Sequence, residues 1–277
     1  MTETEKNISS CWNMLSGTGE YMSGYYERTE LLIGTEKLQV FSQSRVAIFG
    51  LGGVGSFACE GLARSGLGKF IIVDFDRISE TNFNRQVIAT KEKIGLNKVD
   101  VMKERILSIN PSSEILTYSD FLDVNSIEEI IRGTDKIDFC IEAIDSLGPK
   151  VKVIKTLLNH KIPFISSMGA GGRINPLCVK EGILSDVLTC NLARRLKRIL
   201  KKDRINLSTI HVVYSTEKGT MPEKREAWEE NEFQRGRIRG RQGSSCFVPA
   251  VFGMTMAYTA FITIMAGNKK EIMNQSG

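Results

Sequence analysis

The chain has no paired-cysteine signature: its six cysteines, at 11, 59, 140, 178, 190 and 246, contain no Cys-x-x-Cys and no other close pair. That absence excludes the thiolate grip of a structural zinc ion and fits a reducing, cytoplasmic setting. A strong charge imbalance is missing too. Lys plus Arg number 37 against 32 Asp plus Glu, a net charge of +5 over 277 residues, which permits a polyanionic partner without demanding one. The first thirty residues are polar, charged and interrupted by glycine, so no signal peptide is expected, and residues 1–23 read as a flexible N-terminal tail. No internal repeat is visible. Long uncharged runs are absent with one exception, the twenty residues from Phe247 to Ala266. Their length would span a bilayer. Pro249, Gly253 and three threonines dilute the run, however, so it reads as a buried helix closing the core, with membrane association left open.

What is present is an alternation of strand and helix signals. Apolar runs at Val46–Phe49, Phe70–Val73, Glu114–Tyr118, Phe139–Ala143 and Pro163–Ser166 are separated by helical patterns at Val54–Arg64, Lys98–Ile109, Ser126–Ile131 and Lys150–Asn159. Strands alternating with helices predict an α/β fold, a Rossmann-like, doubly wound, mainly parallel sheet. The nucleotide-binding part is expected over residues 24–175. Residues 176–277 form a smaller C-terminal part holding a basic helix, a hydrophilic loop at 218–245 and the apolar helix at 247–266. Cys59 on a helix and Cys140 inside an apolar strand read as small core hydrophobes.

Ligands in such sheets bind beyond the carboxyl ends of the strands. There the chain carries Gly50-Leu51-Gly52-Gly53-Val54-Gly55, directly after the first strand. Glycines at this spacing allow a sharp turn, close approach of backbone to phosphate, and a helix N-terminus aimed at the anion. NAD, FAD and ATP would all fit, and so would plain packing. Asp74, 24 residues past Gly50 and followed by Phe75-Asp76, stands near the spacing at which a carboxylate meets a ribose hydroxyl. Thr81-Asn82-Phe83-Asn84-Arg85-Gln86 and then Gly95-Leu96-Asn97-Lys98 add amides, a guanidinium and an ammonium, which suit a triphosphate better than a dinucleotide. Asp145, after the fourth strand, is placed to hold Mg²⁺ against phosphates. Each of these residues has a dull alternative as a helix cap or a solvated charge; together they point to one MgATP site.

These residues resemble the ubiquitin-activating-enzyme (E1-like) superfamily, whose bacterial members adenylate carboxylates. The resemblance implies a nucleotide-binding set of Gly50, Gly52, Gly53, Gly55, Asp74, Asp76, Asn82, Arg85 and Lys98, with Asp74 on the ribose and Asn82, Arg85 and Lys98 on the phosphates. It implies a catalytic set of Arg85, Lys98, Asp145 and Arg28, with Asp145 on Mg²⁺ and Arg28 reaching the ATP of the other protomer of a homodimer. Ser166 to Arg173, Leu192 to Leu196, Val213 to Glu217 and Gly243 to Pro249 are similar to the tRNA threonylcarbamoyladenosine dehydratases within that superfamily. The resemblance covers most of residues 24–266 and implies ATP-dependent dehydration of a threonylcarbamoyl adenosine beside the anticodon of tRNA, with release of AMP. The alternative is an adenylyltransferase for the C-terminus of a ubiquitin-like sulfur-carrier protein; such enzymes usually carry paired Cys-x-x-Cys zinc motifs, which this chain lacks. Help from a sulfur-transfer partner stays open.

Two basic segments suit an RNA substrate. Leu192, Leu196, Ile199 and Leu200 form an apolar stripe that leaves Arg194, Arg195, Lys197, Arg198, Lys201 and Lys202 on the other faces of one helix. Arg235, Arg237, Arg239 and Arg241 form a glycine-spaced run suited to a phosphate backbone. Cys246, before Phe-Val-Pro, reads as packing rather than as a nucleophile.

Overall fold

The computed structural model describes residues 24–119, 123–220 and 242–267. One seven-stranded sheet runs through it in the order β3-β2-β1-β4-β5-β7-β6. The strands are β1 (Arg45–Phe49), β2 (Lys69–Val73), β3 (Glu114–Tyr118), β4 (Phe139–Glu142), β5 (Phe164–Ser167), β6 (Val179–Ile183) and β7 (His211–Ser215). All neighbouring pairs are parallel except β6 with β7, which is antiparallel. The expected Rossmann-like α/β sheet is therefore present.

Two-residue periodicity sends alternate side chains of each strand to opposite faces, and both faces are covered. Val46, Ile48, Phe70 and Ile72 pack with α3 (Gly55–Arg64), α4 (Lys98–Ile109) and α8 (Phe247–Met265). Ala47, Phe49, Ile71 and Val73 pack with α5 (Val124–Arg132) and α6 (Leu147–Asn159). On that second side α6 also joins α7 (Asn191–Lys202) in a cluster that includes Met168 and Val212. Cys59 and Cys140 are fully buried, and burial pushes both thiols far up from their ordinary range, which suits inert packing.

Helix α6 begins at Leu147, earlier than the sequence pattern suggests, because Pro149 falls in the first turn where its missing N–H is not needed. Two short helices, α1 (Glu27–Ile33) and α2 (Thr35–Gln43), precede β1, and the pair β6–β7 extends the sheet; none of these stood out in the sequence. Strand β6, Val-Lys-Glu-Gly-Ile, is an edge strand without a fully buried residue, so it lacks the apolar signature of the inner strands.

The apolar run at 247–266 is a core helix on one flank. Val248, Phe252, Met256, Ala257 and Ala260 are buried in the main cluster. Gly253 permits the close crossing with α3: a Cβ there would stand 2.3 Å from the Val54 carbonyl oxygen. Its length and composition would also let it cross a membrane, and Phe247, Met254 and Tyr258 remain exposed. The expectations for residues 1–23 and for Arg235, Arg237, Arg239 and Arg241 lie outside the described residues.

Candidate active site

The chain leaves β1 through Gly50, whose φ of +94° lies in the left-handed region that favours glycine. Its N–H donates to the Val73 carbonyl at 2.8 Å, which ties the turn to the end of β2. Gly55, the first residue of α3, faces the Gly50 carbonyl so closely that a Cβ would stand 1.7 Å from that oxygen. Gly50 and Gly55 are thus demanded by the turn itself. Gly52 differs, because a Cβ there would meet nothing within 4 Å and would stand in open space at the start of α3. No packing requirement explains that glycine. Access of a ligand to the backbone at the start of α3 does explain it, and a phosphate is the ligand that a helix N-terminus favours.

The residues expected around a nucleotide converge here. Gly53 lies against Arg85 and Pro249, at 3.2 Å from Arg85 Cγ and 3.1 Å from Pro249 Cβ when a Cβ is built on it. The Arg85 guanidinium donates to the Thr81 carbonyl at 2.6 Å and to Asn84 Oδ1 at 3.0 Å. Neither partner carries charge, so the cation stays electrostatically available to a phosphate. Asn84 Nδ2 in turn donates to the Ser244 carbonyl at 2.8 Å, binding this segment to the chain just before α8. Asn82 is buried, and its side-chain oxygen accepts from Ser79 N at 3.2 Å, which caps a short helical turn.

Asp74 lies at the end of β2, its side chain only 9% exposed. Its Oδ2 accepts from Leu51 N at 2.6 Å and its Oδ1 from Asp76 N at 2.9 Å, so the carboxylate shapes the glycine turn directly. Burial pushes its carboxyl up, against the pull of Lys98. Lys98 opens α4 almost completely buried, with Nζ 2.8 Å from Asp76 Oδ2 and 3.9 Å from Asp74 Oδ1. A lysine held beside two carboxylates at the edge of the cradle is positioned to exchange a carboxylate for a phosphate as its partner.

Asp145 follows β4 by three residues and is exposed. Its turn abuts the glycine loop, since a Cβ on Gly50 would stand 3.0 Å from the Ala143 carbonyl oxygen. Beneath the turn lies a fully buried cluster that the sequence pattern did not reveal. Lys150 Nζ contacts Glu142 Oε2 and donates to the Ser167 carbonyl at 2.8 Å; Ser166 Oγ donates to the same Glu142 oxygen at 2.5 Å. Glu142 Oε1 accepts from Ile144 N at 3.0 Å, so the pair braces the backbone that presents Asp145. Burial pushes the Glu142 carboxyl up, while Lys150 and the two donors oppose that shift. The only sequence signal was a glutamate ending an otherwise apolar run, Phe139-Cys140-Ile141-Glu142.

The loop after β5 is organised by Arg173, which is buried and donates to the carbonyls of Gly169, Gly171 and Glu217. Cys246 is half-buried at the start of α8, less enclosed than the packing role expected of it. Arg28 is exposed on α1. Neighbouring Tyr26 donates its hydroxyl to the Ala63 carbonyl near the last turn of α3, so α1 is anchored at the end of α3 opposite the cradle. Arg28 is thus the one expected catalytic residue not gathered at this chain's own glycine loop.

Among the described residues no group of three or more His, Cys, Asp and Glu could cage a metal. Mg²⁺ bound through one carboxylate and substrate phosphates needs no such cage, and the exposed Asp145 is chemically suited to that mode.

The model of the ThiF family matches residues 26–274. The tRNA threonylcarbamoyladenosine dehydratase of Bacillus subtilis is 35% identical over 233 residues, 83% of this chain and 91% of that protein. Crystal structures of the Escherichia coli tRNA N6-threonylcarbamoyladenosine dehydratase with AMP and with ATP superpose with TM-scores of 0.80 and 0.79. Both are 30% identical to this chain and cover 91% of it, and it covers 98% of each of them. The family match over residues 26–274, with likeness in sequence and fold over most of the chain, makes this chain a member of the ThiF family, similar within it to the tRNA threonylcarbamoyladenosine dehydratases.

Proposed function

We propose that the protein is an ATP-dependent, AMP-forming dehydratase that cyclises N6-threonylcarbamoyladenosine next to the anticodon of tRNA. The observation that carries the reading is the convergence of the open Gly52 cradle, the Arg85 guanidinium and the buried Lys98 at one strand edge. A threonyl carboxylate oxygen attacks the α-phosphorus of ATP, its bond to phosphorus replaces the bond to the leaving pyrophosphate, and an acyl adenylate results. A neighbouring group of the substrate then attacks the activated carbonyl, loses its proton and expels AMP. The net change in the nucleoside is the loss of one water, and no protein nucleophile is required.

The chain's contribution is charge placement, the dominant device in phosphate chemistry. The N–H groups at the start of α3 and the Arg85 and Lys98 cations hold the phosphates, and Asp74 and Asp76 line the ribose side. Asp145 would hold Mg²⁺ against the phosphates, where the ion supplies charge neutralisation. Arg28, anchored away from its own cradle, acts on the second protomer of a homodimer. An RNA substrate places the enzyme in the cytoplasm. Any sulfur-transfer partner would act on the same assembly.

The test is direct. The protein is incubated with MgATP and tRNA bearing threonylcarbamoyladenosine, the RNA is digested to nucleosides, and mass spectrometry reads the loss of one water. No mass loss, together with AMP-forming activity on the C-terminal tail of a sulfur-carrier protein, would replace this reading with the adenylyltransferase alternative.

A further inference from the structure

Helix α7 and the turn after it hold seven cations, Arg194, Arg195, Lys197, Arg198, Lys201, Lys202 and Arg204, against one acid, Asp203. That local excess of six exceeds the net charge of the whole chain, +5. Several cations elsewhere are paired, among them Arg45 with Glu114, Arg105 with Glu60 and Lys93 with Glu104. Asp203 is engaged by Lys155 of α6 at 2.6 Å, and none of the seven has a carboxylate within 4.0 Å among the described residues.

These cations do not decorate a flat face. Arg194, Lys197, Arg198 and Lys201 form one wall of a groove of about 610 Å³ whose other wall includes Ser185, Asn206 and Ser208. Lys197 Nζ is fixed in place, donating to the carbonyls of Ser185 at 3.0 Å and Val187 at 2.7 Å. Burial and then the nearby Lys201 hold its ammonium below the ordinary lysine range, and Asp186 opposes that shift. Asn206 Oδ1 is taken by Ser208 N, which leaves its NH₂ as the donor that remains. Ser185 Oγ donates to Asp186 Oδ1, and Ile205 and Leu207 complete that wall, so the groups facing the cations that can contact phosphate or sugar are the Asn206 amide and the Ser208 hydroxyl. Every apolar residue of α7 is turned at least partly inward, with Ala193, Leu196 and Leu200 buried, so the helix has no exposed apolar flank to insert into lipid.

Helix α7 starts at the reaction edge and runs from there towards the amino ends of β5 and β7, where Asn206 and Ser208 precede β7. Cys190, which caps α7, accepts from Gly169 N at 3.3 Å, so the helix begins against the loop that follows β5. From Arg194 to Lys201 the helix rises about 10 Å, the span of roughly three nucleotides of one strand at about 3.4 Å each.

We infer that the groove between α7 and the Ile205–Ser208 turn is a docking site for the phosphate backbone of RNA, engaging roughly three phosphates of the tRNA along the flank that leads away from the reaction edge. This rests on the tRNA dehydratase reading and says where that substrate is held. The site reads shape and charge rather than base identity.

The test uses the full chain and the variant R194A/R198A/K201A, which spares the structurally bonded Lys197. Affinity for tRNA bearing threonylcarbamoyladenosine is measured by filter binding across a salt series, alongside ATP affinity by equilibrium dialysis. The variant should bind tRNA roughly 10- to 100-fold more weakly, with a salt slope smaller by about two to three, at unchanged ATP affinity. A variant with wild-type tRNA affinity and slope overturns the inference while wild-type dehydration of the same tRNA stands. Wild-type protein that neither binds nor dehydrates tRNA overturns the functional reading itself, and this inference with it. Loss of binding to phosphatidylserine vesicles with no change in tRNA affinity would assign the groove to lipid headgroups instead.

Discussion

Removing the Lys150 ammonium alone should harm the protein more than removing the whole buried ion pair. In Lys150→Met, Glu142 keeps Ser166 Oγ and Ile144 N as donors but loses the buried counter-charge it has among the described residues, at a site with no solvent access. Breaking one side of such a pair costs about 3–5 kcal/mol. The double variant Glu142→Gln/Lys150→Met removes both charges, and its glutamine still offers an oxygen to Ile144 N and a donor towards Ser166 and the Ser167 carbonyl. Methionine replaces the lysine stem at similar volume, so what remains is imperfect hydrogen bonding, about 1–2 kcal/mol. Urea unfolding of the two variants and wild type, with slopes compared to confirm a common unfolded state, reads the difference. The pair also braces the turn bearing Asp145, so ATP affinity should fall in Lys150→Met and partly return in the double variant. A Lys150→Met protein within about 1 kcal/mol of wild type, or a double variant no more stable than the single, would refute the reasoning.

Three further predictions concern the cradle and the core. Gly55→Ala places a Cβ against the Gly50 carbonyl and should abolish ATP binding with a clear loss of thermal stability, whereas Gly52→Ala should leave stability within about 0.5 kcal/mol and still weaken ATP binding at least about tenfold; differential scanning and equilibrium dialysis separate the two effects. Lys98→Met should weaken ATP binding more than AMP binding, because its ammonium is assigned to phosphates beyond the first; equal losses in calorimetric titrations would count against that assignment. Despite burial, hydrogen bonds and charge from Arg105 and Arg64 hold the Glu60 carboxyl below its ordinary value, so its stabilising effect is present above the unfolded pKa and lost as pH falls through the folded one. The gap in urea midpoint between wild type and Glu60→Gln should therefore narrow as pH is lowered through the carboxylate range, and a gap that widens would contradict the sign.

Strands β1, β2, β4 and β5 and the helices between them were legible because burial on both faces leaves unbroken apolar runs such as Val46-Ala47-Ile48-Phe49, and because glycines at the first turn carry a geometric demand that composition cannot disguise. Strands β6 and β7 and helices α1 and α2 were not: β6, α1 and α2 are half-solvated elements of five to nine residues with little apolar pattern, and β7 carries only the short apolar pair Val212-Val213 between polar neighbours. The site divides in the same way. Gly50 to Gly55, Asp74, Arg85, Lys98 and Asp145 were visible as residue types at strand ends, where chain topology alone predicts a ligand edge.

Local pattern and spacing thus determined the sheet, the cradle and its charged residues, because each depends on neighbours close in sequence. Only the tertiary structure decided which glycine is open to a ligand and which is forced by packing, that Glu142 and Lys150 neutralise each other beneath the Asp145 turn, and that the basic helix faces Asn206 and Ser208 across a groove. Those are contacts between segments distant in the chain or brought round by a turn, and pair energies that arise from burial do not exist until the fold has removed the water.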